Sequence, residues 1–430
     1  MTILKKYSTN TLWLLFEKII RLVSGFFIGV LVARYLGPEK LGILSFSQSY
    51  VGLLVVFTNL GLDSIIVREL IKQQYDERII LSTAFAIKMC SSLLLFFVIG
   101  LSIFLTNIEH GLIITILSIS YLFSPFNVLD CYYQSKVNGK IISLVKILAL
   151  IITSSLKVFA IVKGLSIEYF ASIIMLESAI TGMLFIFAYC KKEKFHMVTF
   201  DKGLALLLLK QSWPLLFSGF FISIYMKIDQ IMIRYFTDLT QVGIYSIAVR
   251  LSELWYFIPT VLSTSLFPLM VRQKEQSYSG YLDKMSLIYC SVFWFAVILS
   301  VTISIFAKQL VLLVYGEDYA MSGDILIIHI WSSLFVFLGV FIANQVVLEE
   351  RQKVLLLGVV LGALTNVLLN LVLIKWIGVK GAAYATLISQ SIASVFYLSF
   401  FTDLRWILKF VLKSLSIYSV SRLITQRSNL

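Results

Sequence analysis

Seven cations lie inside stretches otherwise built from apolar residues: Lys18, Arg21, Lys88, Lys146, Lys157, Lys227 and Arg250. Four carboxylates share those stretches: Glu17, Glu177, Asp229 and Glu253. A charge at the centre of a membrane helix costs roughly 2.5–3.5 kcal/mol, so each needs an ion partner, a path to the interface or a watery cavity. Seven against four predicts a cavity of net positive potential, which concentrates anions. Lys18 and Arg21, three apart, share a helical face and could grip a diphosphate, the guanidinium as a planar fork and the ammonium as a point charge. Lys146 and Lys157 lie near span ends, where snorkelling is the alternative, and their spacing of eleven places them on nearly one face. Arg250 and Glu253, one turn apart, also read as a self-neutralising pair.

Other chemistry is missing from the residues. No GxxxxGK[ST] loop, HExxH or GxSxG occurs, so neither ATP hydrolysis nor another catalytic role is expected. Cys90, Cys131, Cys190 and Cys290 are scattered, as are His110, His196 and His329, and they read as ordinary structural residues without metal, cofactor or disulfide.

The elements that must position these charges are membrane helices. Of 430 residues, 59% are hydrophobic and only 14% charged, with a mean hydropathy of +0.93. A soluble domain carries about a quarter charged residues. Apolar blocks run over 11–33, 41–62, 79–105, 111–133, 141–162, 166–189, 209–233, 242–269, 285–306, 321–348, 354–374 and 379–402, which predicts an all-α polytopic protein of about twelve spans. The first block holds Glu17, Lys18 and Arg21 and is too long for a signal-peptide core, so it is expected to remain as a span.

The net charge of +13 follows from topology. With the N-terminus inside, the cytoplasmic segments hold twenty-two Lys/Arg and the opposite loops seven, which places both termini in the cytoplasm and sets nucleic-acid binding aside. Residues 1–190 form one six-helix half, 191–208 a basic central loop, 209–402 a second half and 403–430 a basic tail. Arg405, Lys409 and Lys413 mark that tail as an amphipathic surface helix. Six spans per half make the halves parallel, related by a pseudo-twofold axis along the membrane normal. A faint repeat agrees: Arg34-Tyr35-Leu36 precedes Leu41-Gly42-Ile43-Leu44-Ser45, and Arg234-Tyr235-Phe236 precedes Val242-Gly243-Ile244-Tyr245-Ser246. Gly25-x-x-x-Gly29 and Gly358-x-x-x-Gly362 read as close helix contacts. Pro125, Pro259 and Pro268 read as bends within spans, and Pro214 as the start of the seventh.

The run Ala33-Arg34-Tyr35-Leu36-Gly37-Pro38-Glu39-Lys40-Leu41-Gly42, followed by Asn59-Leu60-Gly61-Leu62, resembles the O-antigen-type polysaccharide flippases of the multidrug/oligosaccharidyl-lipid/polysaccharide exporter superfamily. Asp229-Gln230-Ile231-Met232-Ile233 and Val242-Gly243-Ile244-Tyr245 resemble the same family, and the likeness covers nearly the whole chain. The resemblance implies a V-shaped central cavity and a bacterial inner-membrane location. It also implies transfer of undecaprenyl-diphosphate-linked oligosaccharide from the cytoplasmic to the outer leaflet. On that expectation Arg21, Lys18, Lys88, Lys227, Arg250, Lys146 and Lys157 form the cationic cavity. Asp229, Glu253 and Glu177 couple transport to protons or sodium. Partners are the lipid-linked substrate, membrane lipids, a polysaccharide polymerase and a chain-length regulator. The alternatives are a cation-coupled multidrug antiporter, for which a net acidic cavity is expected, a peptidoglycan-precursor flippase, which carries extra spans, and a membrane glycosyltransferase or polymerase, which needs a larger catalytic loop.

Overall fold

A computed structural model describes residues 3–191 and 200–416, with side chains from Thr9 onward. Every element among the described residues is helical. They fall into two compact units, Met1–Ser223 and Ile224–Leu430.

The first unit is built from α1 (Ile3–Leu54), α2 (Val56–Asn59), α3 (Asp63–Lys72), α4 (Glu77–Thr106), α5 (Gly111–Ile119), α6 (Val128–Ser135), α7 (Gly139–Val162), α8 (Ile167–Cys190) and the beginning of α9 (Lys202–Phe236). The signature turn is a kink inside α1 rather than a loop. Gly37 takes φ 72° and ψ 171°, a region essentially reserved for glycine, and Pro38 follows it. Tyr35 anchors this kink by donating its hydroxyl to the Leu165 carbonyl at 2.8 Å and packing its ring on Phe170. Pro125 lies in a 3-10 segment, Ser120–Asn127, that joins α5 to α6 within the fourth predicted span. Leu62, Ile66, Ile80, Ala84, Val128, Phe185, Leu204 and Leu208 share one apolar core.

That core explains the start of α9. Asp201 caps the helix by accepting from the Leu204 amide at 2.7 Å, and Leu204 and Leu208 are buried. Residues expected as the end of the central loop are therefore its first turns, and Pro214 lies inside α9 instead of opening it. Residues 192–199 of that loop, His196 included, lie outside the described residues.

The second unit holds the remainder of α9, then α10 (Leu239–Glu253), α11 (Phe257–Gln276), α12 (Tyr278–Tyr315), α13 (Ala320–His329), α14 (Ser332–Leu348), α15 (Lys353–Ile377), α16 (Val379–Ser394) and α17 (Arg405–Ser414). Gly358 and Gly362 make the expected close contact. A Cβ added at Gly362 would sit 2.5 Å from Ala393 Cβ, and one at Gly358 2.9 Å from the Tyr397 ring. Gly25 makes no such contact, since nothing lies within 4 Å of its virtual Cβ. Helix α17 also departs from expectation. Ile407 and Val411, one turn apart, are buried in the core of this unit, so that face packs on protein; residues 417–430 lie outside the described residues.

Nine helices among the described residues are long and apolar enough to cross a bilayer, or ten when the pair Glu317–His329 and Ser332–Leu348, bent by 43°, counts as one span. The longest, Thr9–Lys72, runs through α1, α2 and α3 and contains two of the predicted spans on either side of Gly37, whereas α16 has only 16 residues. The chain is a multi-pass membrane protein.

Candidate functional site

Within the first unit a cavity of ≈ 650 Å³ is lined by Glu17, Lys18, Arg21, Asn59, Asn127, Lys146 and Glu177, with Tyr121 and several small hydroxyl residues. Arg21 donates its Nε to Glu17 Oε1 at 2.7 Å and its Nη1 to Glu177 Oε1 at 3.3 Å. Glu177 also pairs with Lys157 at 3.8 Å. The Arg21 side chain remains 43% exposed. Lys18 is exposed and has no ion partner among the described residues. Helices α1, α7 and α8 bring these groups together, with Ser143 donating to the Trp13 carbonyl to hold α7 against α1. Three cations and two carboxylates line the cavity, a net excess of one positive charge.

The expected seven-to-four imbalance is smaller than the residue count implied. Lys88 is fully buried and binds the Asp63 carboxylate and, at 3.5 Å, Asn59 Oδ1. Lys146 pairs with Asp130 at 2.7 Å. Asp130 lies inside the fourth predicted span and Asp63 one residue beyond the second, so both partners were visible in the sequence and went uncounted. Lys88 and Lys157 do not line the cavity. Lys227 and Arg250 belong to the other unit.

In the second unit, Asp229 is almost fully buried and is held from three sides. Tyr245 donates to its Oδ2 at 2.7 Å, Thr386 donates to the same oxygen, and Asn370 Nδ2 donates to Oδ1 at 2.7 Å. Asn370 also donates to Asn366, which donates to Ser389 at 3.3 Å. A buried carboxylate is tolerated when its lone pairs are this well occupied. Asp229, Tyr245, Glu253, Tyr256, His329, Thr386 and Gln390 line a cavity of ≈ 90 Å³. His329 Nδ1 in this cavity, and Asn370 Oδ1 beside Asp229, are buried without hydrogen-bond partners among the described residues. Arg250 and Glu253, expected as a self-neutralising pair, form no ion pair within 4 Å, although the charges of Lys227, Asp229 and Arg250 all act on Glu253. No group of three or more His, Cys, Asp or Glu suited to a metal ion occurs among the described residues.

Sequence reasoning selected Asp229 but missed its donors. Asn366 and Asn370, four apart in the otherwise apolar 354–374 block, were the available signal, as were Thr386 and Ser389 in the following block. His329 was set aside with the dispersed histidines, although it lies in the same cavity as Asp229.

Residues 8–274 match the family model described as polysaccharide biosynthesis protein. Two curated relatives come from Haloferax volcanii. One, a probable flippase called AglR, is 28% identical over 40% of this chain and 37% of its own length. The other, Agl15, a probable low-salt glycan biosynthesis flippase, is 22% identical over 42% and 39%. The matched stretch thus spans well under half of each relative. Among solved structures, the lipid II flippase MurJ in an inward closed conformation aligns with a TM-score of 0.73 at 17% identity, covering 94% of this chain and 90% of its own. An inward-facing MATE family multidrug transporter of the MOP superfamily aligns at 0.67 and 14%, covering 92% and 96%. At these identities the likeness shows the fold.

Proposed function

Because the chain belongs to the polysaccharide biosynthesis protein family and has the fold of MOP superfamily transporters, we propose that it is a flippase for polyprenyl-diphosphate-linked oligosaccharide. The carrier is undecaprenyl diphosphate, and movement runs from the cytoplasmic to the outer leaflet of a bacterial inner membrane. Twelve spans with both termini in the cytoplasm accompany this reading, supported by the Lys/Arg asymmetry of the loops.

The observation that carries the proposal is the first-unit cavity. Lys18 presents an unpaired ammonium among the described residues, and Arg21 stays partly exposed between Glu17 and Glu177. An entering diphosphate competes with those carboxylates for the guanidinium fork and gains charge-assisted hydrogen bonds. Lys146 adds a third cation. Lys88 serves to hold α4 against Asp63, and Lys157 to orient Glu177. Asp229, with Glu253 beside the same small cavity, is the coupling group for a proton or sodium ion. Glu177 acts as the anionic brake on Arg21.

The test is lipid analysis of a strain lacking the gene but retaining the rest of its polysaccharide cluster. Lipid-linked oligosaccharide accumulates and surface polymer is lost; wild type restores both, and Arg21→Ala does not. Normal polymer together with new drug sensitivity would instead identify an antiporter.

A further inference from the structure

A second, separate groove lies within the second unit, where α11 ends and α12 begins. It has a volume of ≈ 520 Å³, and its apolar wall is Leu266, Leu269, Met270, Met285, Leu287 and Ile288. Its charged lining is purely cationic, consisting of Arg272 and Lys284, both exposed. Arg272 has no carboxylate within 4 Å among the described residues, and Lys284 donates to the neutral amide oxygen of Gln273. The nearby Lys274 is already neutralised by Glu349 at 3.1 Å and bonded to the Leu348 carbonyl at 2.6 Å. Tyr281 also lines the groove. It is 1% exposed, and its hydroxyl has no hydrogen-bond partner among the described residues. A buried hydroxyl without a partner is costly and points to a group that belongs beside it.

We propose that this groove binds one anionic phospholipid from the bilayer. An acyl chain lies along the Leu266–Met270 and Met285–Ile288 walls. The phosphate pairs with Arg272 and Lys284, and Tyr281 donates to a phosphate or ester oxygen. Basic pockets between membrane helices on the cytoplasmic side select anionic headgroups in this way, and Arg272 and Lys284 fall in a segment the charge bias places there. Charge complementarity decides between occupants: a zwitterionic lipid brings a cation that no carboxylate lining the groove can receive, and Glu349, whose charge acts on Tyr281, is already paired with Lys274. The inference does not rest on the flippase reading.

Native mass spectrometry of the delipidated full chain in neutral detergent tests it, with dioleoyl phosphatidylglycerol and dioleoyl phosphatidylcholine as probes. One phosphatidylglycerol should bind in preference to phosphatidylcholine, and Arg272→Ala/Lys284→Ala should weaken it by roughly thirtyfold, about fivefold per cation. Tyr281→Phe should weaken it severalfold while leaving the lipid-free melting temperature unchanged or higher, since it removes an unpaired buried hydroxyl. That variant guards against misfolding of the double mutant. Equal binding of the two lipids, or phosphatidylglycerol binding unaffected by all three substitutions, would overturn the proposal. Displacement of phosphatidylglycerol by equimolar undecaprenyl phosphate would overturn it too, assigning the groove to a polyprenyl carrier.

Discussion

Asp229→Asn preserves the shape of the most heavily bonded carboxylate in the second unit and removes its charge. Three donors converge on it, and hydrogen bonds to a charged group contribute about 1.5–3 kcal/mol each. Losing the equivalent of one such bond in ion binding corresponds to roughly a tenfold to hundredfold effect. Surface-polymer output at limiting expression should fall by that factor while protein level and melting temperature hold; unchanged output would remove Asp229 from coupling. Lys88 makes a different prediction. Its ammonium is fully buried while Asp63 is half exposed, so Asp63→Ala strands a charge that entering water partly relieves and should destabilise by about 1–3 kcal/mol. Lys88→Met, which removes the charge itself, should cost less. Thermal melts in detergent give the order of the two variants, and the reverse order would show that Lys88 finds compensation elsewhere.

At the scale of elements, Gly37 shows how a short motif acts without chemistry. The kink it permits lets α1 turn while Tyr35 ties the bend to Leu165 and Phe170. Gly37→Ala places a Cβ in a backbone region that costs of order 1–3 kcal/mol. The space around it is open, so the loss comes from backbone strain and not from a clash. Gly362→Val instead forces a contact against Ala393 and should cost about 1–3 kcal/mol through overpacking. Ala393→Gly should partly rescue Gly362→Val and leave Gly37→Ala untouched. Rescue of both, or of neither, would contradict this assignment of causes.

For the whole molecule, the prediction is topological. Cys190 ends α8 and is exposed, Cys131 and Cys290 are buried, and Cys90 lies within α4. In a Cys90→Ser chain, a membrane-impermeant maleimide should label Cys190 in inverted vesicles and not in intact spheroplasts. Labelling from the outside would reverse the orientation and with it the direction of transfer.

Hydropathy alone makes this a polytopic helical membrane protein, because its apolar runs reach membrane length. It also determined which residues are anomalous, since a charge in such a run is costly wherever the helix packs. Packing sets which partner each anomaly finds. Lys88 and Lys146 acquired Asp63 and Asp130 as partners, and Arg21 was divided between two carboxylates more than a hundred positions apart from one another. Asp229 gained donors from α10, α15 and α16 that no local spacing relates to it. Such pairings depend on which helix faces meet. Amphipathic periodicity marked α17 as having an apolar face, and only packing showed that protein core covers it. Hydropathy reports how much a residue dislikes its surroundings, while the partner that relieves it is set by contacts far apart in the chain.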